Sequence, residues 1–144
     1  MMTTTRRPDA RPFAETIARL RQAGLRPTRQ RLALGRLLFD MGDRHVTAEM
    51  LHDEAVGAGH SLSLATVYNT LHQFTAHGLL REVVVDSGRA YFDTNVSDHH
   101  HFFHEDTGML VDIPGAGVAI SGLPIAPDGT SVARVDVVVR LRQA

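Results

Sequence analysis

The strongest constraint on the fold of this chain is a succession of N-capping residues, each followed by apolar residues at helical spacing. Thr28, Thr47 and Ser63 can each accept a hydrogen bond from the first turn of a helix. Apolar residues recur behind each of them at intervals of three and four, and an earlier stripe of the same kind begins at Phe13. The pattern therefore predicts four helices within residues 13–77.

Two strand-like runs follow the last of these helices. They cover residues 79–85 and 89–93, and Asp86-Ser87-Gly88 between them is a competent tight-turn sequence. Three helices followed by a β-hairpin form a winged helix, which places its last helix in the major groove of DNA. In this chain residues 63–77 would be that helix.

The polar face of residues 63–77 differs from that of an ordinary solvated helix. Thr66, Asn69 and Gln73 lie on this face, Tyr68 stands at its border, and no acid is among them. Neutral hydrogen-bonding groups suit contact with base edges. We predict that this face binds DNA; the alternative for Tyr68 is an aromatic residue at the edge of the core.

The charge distribution also favours a polyanion-binding surface near the start of the chain. The net charge is -1, yet residues 1–36 hold nine Arg against two acids, while the remainder holds six Arg against fourteen acids. Every basic residue is Arg, which favours forked contacts with phosphate, although a coding bias would give the same preference. The clustering is therefore the stronger argument for a nucleic-acid partner.

The last third of the chain follows a different pattern, with short strands predicted at residues 99–104, 109–113 and 132–140. Residues 114–130 between them are rich in Gly and Pro, which predicts a loop with at most a weak helix at 118–123. Three short strands leave open edges that a second copy of the chain could cover. We therefore predict a homodimer.

The predicted fold class is α/β (α+β), with three parts. A mobile arm at residues 1–11 precedes a winged-helix DNA-binding domain at 12–94 and a small α+β dimerisation and metal-sensing domain at 95–144. No apolar run is long enough to span a bilayer, and the start of the chain lacks the apolar core of a signal peptide. A cytoplasmic location is expected.

Four of the nine histidines lie close together, at positions 99, 100, 101 and 104. In a strand successive side chains alternate between faces, so His99 and His101 would share one face while His100 points the other way. The chain has no cysteine, and any metal must therefore be held by nitrogen and oxygen ligands. The spacing alone does not choose between Fe(II), Mn(II) and Zn(II).

Three motifs resemble the ferric uptake regulators, a family of dimeric, metal-responsive winged-helix transcription factors. Residues 25–31 are similar to the family's opening signature, residues 64–68 to its recognition helix and residues 99–101 to its hinge histidines. Residues 91–101 and the lack of cysteine resemble the iron response regulator subgroup (Irr). That resemblance implies a regulator of iron and haem genes that responds to haem as well as to iron.

The resemblance also implies which residues bind metal and DNA. One divalent ion per subunit would be held by His45, Asp93, His99, His101 and Asp112. DNA would be contacted by Arg26 in the minor groove, with Arg29 and Arg31 as alternatives, and by the start and polar face of the recognition helix through Ser63, Thr66, Tyr68, Asn69 and Gln73.

The chain departs from the family pattern at the structural zinc site that many relatives build from paired cysteines. The corresponding positions are His104 and Thr107, so no cysteine zinc site is expected. Haem or a second metal would have to be bound by histidine, and His100 and His104, with Asp98 nearby, are the candidates.

Other functions compatible with the same ligands are a manganese- or zinc-responsive regulator, a small metalloenzyme, and a metal- or haem-binding protein. The last two leave the polar recognition-helix face and the arginine-rich start without a role. We therefore expect no enzymatic activity.

Overall fold

The computed structural model of this 144-residue chain describes residues 13–86 and 88–144. The predicted arm at residues 1–11 and the centre of the predicted tight turn lie outside these ranges. The chain divides into two compact units. We call Met1–Glu82 with Ala90–Val96 the N-terminal unit, and Val83–Arg89 with Ser97–Ala144 the C-terminal unit.

Four helices build the N-terminal unit: α1 (Ala14–Gln22), α2 (Arg29–Phe39), α3 (Ala48–Gly57) and α4 (Leu64–Ala76). The predicted caps are confirmed, because Thr28, Thr47 and Ser63 each accept the backbone N–H of the residue three positions later. Gly24 ends the first helix with a φ of 81°. No helix in the described part of the chain has the length and apolar character needed to cross a membrane.

The core of this unit is formed by the apolar stripes of the helices. Leu34, Leu51, Leu71 and Phe74 are fully buried within one hydrophobic cluster. Each such side chain stabilises the fold by about 1.5–3 kcal/mol relative to exposure to water. Burial of Leu71 and Phe74 fixes the rotation of α4 about its axis and leaves its polar face in solvent.

The chain also forms a small three-stranded sheet from β1 (His45–Val46), which lies between α2 and α3, and from β2 (Arg81–Asp86) and β3 (Arg89–Asp93), which follow α4; the strand order is β1-β3-β2. β1 pairs antiparallel with β3, and this register sets His45 opposite Asp93. A two-residue strand has no periodicity that a sequence pattern could reveal, so β1 was not predicted. The pairing matters because it brings together two residues that are distant in sequence.

A second three-stranded sheet organises the C-terminal unit: β4 (His100–His104), β5 (Leu110–Ile113) and β6 (Val138–Leu141) in the order β5-β4-β6. β4 pairs antiparallel with β5, in a register that sets His101 opposite Asp112. It pairs parallel with β6, so β4 is the central strand. Its side chains alternate in burial, with His101 and Phe103 buried.

One strand prediction for this unit was too long, and the loop prediction was confirmed. The strand predicted at residues 132–140 is limited to β6, and just before it the N–H of Val137 donates to Nδ1 of His100. The segment predicted as a loop with at most a weak helix at residues 118–123 has no helix there and contains a single 3₁₀ turn, Gly115–Gly117. The described residues 118–131 include no helix or strand, as expected where Gly and Pro interrupt the short apolar runs.

Two helical glycines allow a matched test of packing. A Cβ at Gly35 in α2 would lie 2.7 Å from Cγ2 of the buried Thr16, whereas a Cβ at Gly57 in α3 would meet nothing within 4 Å. Gly35→Ala should lower the free energy of unfolding by about 1–3 kcal/mol through overpacking. Gly57→Ala should leave it unchanged or raise it by up to about 1 kcal/mol. Urea denaturation measures both, and equal effects would contradict the close approach of α1 and α2.

Candidate metal ligands and nucleic-acid interface

The N-terminal unit contains a histidine–carboxylate pair at the paired ends of β1 and β3. Nε2 of His45 lies 3.2 Å from Oδ2 of Asp93, whose side chain is only 1% exposed. The other carboxylate oxygen of Asp93 accepts the N–H of Asn95 at 2.9 Å. Burying a carboxylate is costly unless it is paired and hydrogen-bonded, and both conditions are met here. The pair can offer one nitrogen and one oxygen ligand to a metal ion.

The C-terminal unit contains a tighter cluster on β4 and β5. Nε2 of His99 and Nε2 of His101 each lie 3.2 Å from the same oxygen, Oδ1 of Asp112. The two rings are 4.5 Å apart between centroids. His101 and Asp112 are cross-strand partners, and His99 directly precedes β4, so the sheet register itself brings the three side chains together.

A hydrogen bond to the backbone sets the tautomer of the neutral His99 ring. Its Nδ1 lies 2.5 Å from the carbonyl oxygen of Ser97, and because a carbonyl can only accept, Nδ1 must carry the proton. In the neutral ring Nε2 then presents a lone pair toward Asp112. A lone pair and a carboxylate oxygen repel each other, so a proton or a metal ion must stand between them.

The donor set of this cluster fits a divalent metal. Metal-binding histidines commonly donate their second ring N–H to a backbone carbonyl, as His99 does to Ser97. Two imidazoles and one carboxylate suit Fe(II), Mn(II) and Zn(II). His99, His101 and Asp112 could therefore hold such an ion, with further positions completed by other ligands.

The residues predicted for haem or a second metal are arranged differently. Nδ1 of His100 accepts the N–H of Val137 at 3.0 Å, which leaves the proton of the neutral ring on Nε2 and no lone pair for a metal. His104 lines a cavity of about 340 Å³ together with Asp106, Thr107, Leu141, Arg142 and Gln143. Asp98 is exposed. Within the described residues, no group of three potential metal ligands includes any of these three.

Four of the predicted DNA-contacting residues, Arg31, Thr66, Asn69 and Gln73, line one depression of the N-terminal unit. Thr28, Gln30, Arg31, Thr66, Asn69, Thr70 and Gln73 line a polar depression of about 220 Å³ between the start of α2 and α4. Arg26 and Arg29 are exposed. Ser63 serves as the cap of α4, and its Oγ also lies 2.9 Å from Oγ1 of Thr66.

Tyr68 lies on the surface rather than in the core. Its side chain is 36% exposed, and its hydroxyl donates to Oε1 of Glu49 at 2.8 Å. That hydrogen bond raises the pKa of Tyr68, since it stabilises the protonated phenol. The ring stacks on His72 at 6.4 Å. Tyr68 is thus held in place from two sides while one part of its ring faces solvent.

Sequence reasoning missed the residues that orient the candidate metal ligand His99 and the predicted DNA-contacting residue Tyr68. Glu49 holds Tyr68 from another helix, 19 positions away, and the carbonyl of Ser97 orients His99. No periodicity links Glu49 to Tyr68. The group that orients His99 is a backbone carbonyl, and because every residue has one, the residue type at position 97 does not reveal it.

The chain is similar to proteins of known function. The profile of the ferric uptake regulator family matches residues 22–126. The peroxide-responsive repressor PerR of Staphylococcus aureus is 37% identical over 98 residues, which are 68% of this chain and 66% of that repressor. The alignment therefore spans just under two thirds of the length of the curated relative.

Two solved structures of ferric uptake regulators are similar to this chain in fold. The ferric uptake regulator of Pseudomonas aeruginosa, solved with manganese, matches with a TM-score of 0.66 and 28% identity, over 88% of this chain and 96% of that one. The ferric uptake regulator of Vibrio cholerae matches with a TM-score of 0.68 and 20% identity, over 89% and 99% of the two chains. The second match shows the fold alone.

The cluster on β4 and β5 can be tested with one substitution and a matched control. Asp112→Asn removes the negative charge that both imidazoles face, and it should weaken Zn(II) and Mn(II) binding at least about tenfold, the loss typical of a damaged metal site. Asp128→Asn removes an equal charge from an exposed position of the same unit and should change nothing. Isothermal titration measures both, and equal affinities would contradict a role for Asp112.

Proposed function

This chain belongs to the ferric uptake regulator family, and from that premise we propose that it is a metal-responsive transcription regulator that binds operator DNA through its winged helix. The observation that carries the proposal is the convergence of His99, His101 and Asp112, where a proton or a metal ion must lie between Nε2 of His99 and the carboxylate. The neutral polar face of α4 supplies the surface that would read bases.

We propose a single regulatory metal site per subunit, with ligands from both units. The His45–Asp93 pair offers two ligands and the cluster of His99, His101 and Asp112 offers three. Neither set alone completes the four to six positions that these metals prefer. An ion bound by all five residues would favour the arrangement of the units in which every ligand reaches it, and it would shift the population toward that arrangement.

The protein acts as a homodimer in this proposal. Apolar side chains of the C-terminal unit are exposed along the irregular segment before β6: Ile120, Leu123, Ile125 and Val132. Ile125 is 98% exposed, and several exposed apolar side chains in one segment favour a protein partner. A second copy would cover them and would present two α4 helices to successive major grooves of one operator.

The signal is proposed to be iron or haem, as in the iron response regulator subgroup. The absence of cysteine and the stretch at residues 91–101 support this choice. His104 is the proposed haem ligand, because it lines a cavity while the Nδ1 atom of His100 accepts a backbone N–H. A response to peroxide is the second candidate, favoured by the 37% identity to a peroxide-responsive repressor; without cysteine it could not use a thiol switch.

Selection of bound duplexes from a random pool, followed by affinity measurement, tests the proposal. Operator affinity is measured by fluorescence anisotropy with Fe(II), Mn(II), Zn(II), haem or hydrogen peroxide added separately. A metal-dependent affinity for one selected sequence is expected. The absence of any selected sequence under all these conditions would contradict the regulator function.

Two substitutions should separate charge-based contacts from base reading. Arg26→Ala should weaken binding to operator and shuffled DNA alike and reduce the slope of log affinity against log salt by about 0.9, the value for one positive charge lost from the DNA interface. Asn69→Ala should weaken operator binding while leaving the salt slope unchanged. Anisotropy titrations at several salt concentrations measure both. Identical behaviour of the two variants would contradict this division of roles.

The shared metal site predicts a stoichiometry. The protein should bind one Zn(II) per chain, and His45→Gln should weaken the same binding event as Asp112→Asn, since each removes one ligand of one ion. Isothermal titration gives both the stoichiometry and the affinity. Two ions per chain, with each substitution affecting only one of them, would show that the two ligand sets act separately.

A further inference from the structure

A pair of hydrogen-bonded side chains joins the start of α2 to the exposed face of α4. Nε and Nη2 of Arg31 both donate to Oε1 of Gln73, at 3.3 and 3.0 Å. Nη1 of the same guanidinium donates to the backbone carbonyl of Arg26 at 2.8 Å. Arg31 therefore contacts both the recognition helix and the backbone of the residue proposed to enter the minor groove.

The chemistry of these groups fixes their orientation. A guanidinium has five N–H donors and no acceptor, so the atom of Gln73 that faces it must be the amide oxygen. That oxygen accepts two hydrogen bonds and has no lone pair left for a base. Three of the five donors of Arg31 have acceptors within the described residues, which leaves one N–H on each terminal nitrogen.

We propose that Arg31 and Gln73 are positioning residues for DNA recognition rather than independent readers of DNA. This inference rests on the proposed DNA-binding function. The pair, which we call the Arg31–Gln73 brace, fixes the backbone at Arg26 relative to α4. The minor-groove contact of Arg26 would then lie at a fixed distance along the duplex from the bases that α4 contacts.

The solvent exposure of the brace supports this role. Gln73 is exposed and Arg31 is only partly buried, and exposed polar pairs contribute little to folding stability. The brace instead acts on DNA binding, because it orders the Arg31 side chain before DNA arrives. A long arginine side chain already held in place loses less conformational entropy when DNA arrives, so the brace strengthens correctly aligned binding.

A double-mutant cycle tests the brace in the full-length protein. Arg31→Lys keeps the positive charge but loses the forked geometry, and Gln73→Met keeps the side-chain length but replaces the amide oxygen with a thioether sulfur, which is only a weak acceptor. The two single variants and the double variant are titrated against a pool-selected operator and a shuffled duplex at one salt concentration. Gln22→Met, at the exposed end of α1, is the matched control, and urea denaturation verifies that every variant folds.

The brace predicts non-additive losses. Each single variant should lose about tenfold in operator affinity, and the double variant should lose about the same, because either change already breaks the pair. Binding to the shuffled duplex should change less than about threefold, since the charge is kept. Gln22→Met should bind like the wild type. Losses that multiply to about a hundredfold, or single variants without any loss, would overturn the proposal.

A measurement without DNA separates this inference from the proposed function. In ¹⁵N-labelled protein the Nε–H signal of Arg31 should be protected from exchange with water, and Gln73→Met should remove that protection. If the wild type selects no operator, the regulator function fails and the inference falls with it. If the wild type selects an operator but the Arg31 signal is unprotected or the losses multiply, the brace alone is wrong.

Discussion

The carboxylate of Asp112 faces the Nε2 atoms of two histidines at 3.2 Å, and the hydrogen bond from His99 to Ser97 directs a lone pair at it. This arrangement is favourable only when a proton or a metal ion lies between the lone pair and the carboxylate. The sheet that carries these residues is small, with strands of four or five residues. A cation at this cluster would therefore stabilise the central strand of the C-terminal unit and its β5 neighbour together.

In the proposed function, metal binding would affect DNA binding without any change inside α4. α4 is held by buried residues such as Leu71 and Phe74, so its polar face is presented to solvent whether or not metal is bound. Metal would instead change the arrangement of the two winged helices in the proposed homodimer. Arg31 and Gln73 would then set the geometry within one winged helix, while the metal would set the spacing between two of them.

The sequence predicted the elements whose signals are local. N-caps, helical stripes and the two wing strands each occupy a few consecutive residues, and the strand predicted at residues 99–104 corresponds to β4, which carries His101 and directly follows His99. Contacts over long sequence separations were not predictable. β1 is defined by its pairing with β3, the N–H of Val137 just before β6 donates to the side chain of His100, and the bond from Arg31 to Gln73 spans 42 positions.

The central claim is that metal binding and operator binding are coupled, and thermodynamic linkage provides its most direct test. Zn(II) affinity is measured with and without saturating operator, and operator affinity with and without saturating Zn(II). Both ratios should differ from one and equal each other, because the coupling free energy is reciprocal. Two ratios of one, with tight Zn(II) binding and tight operator binding both observed, would contradict it.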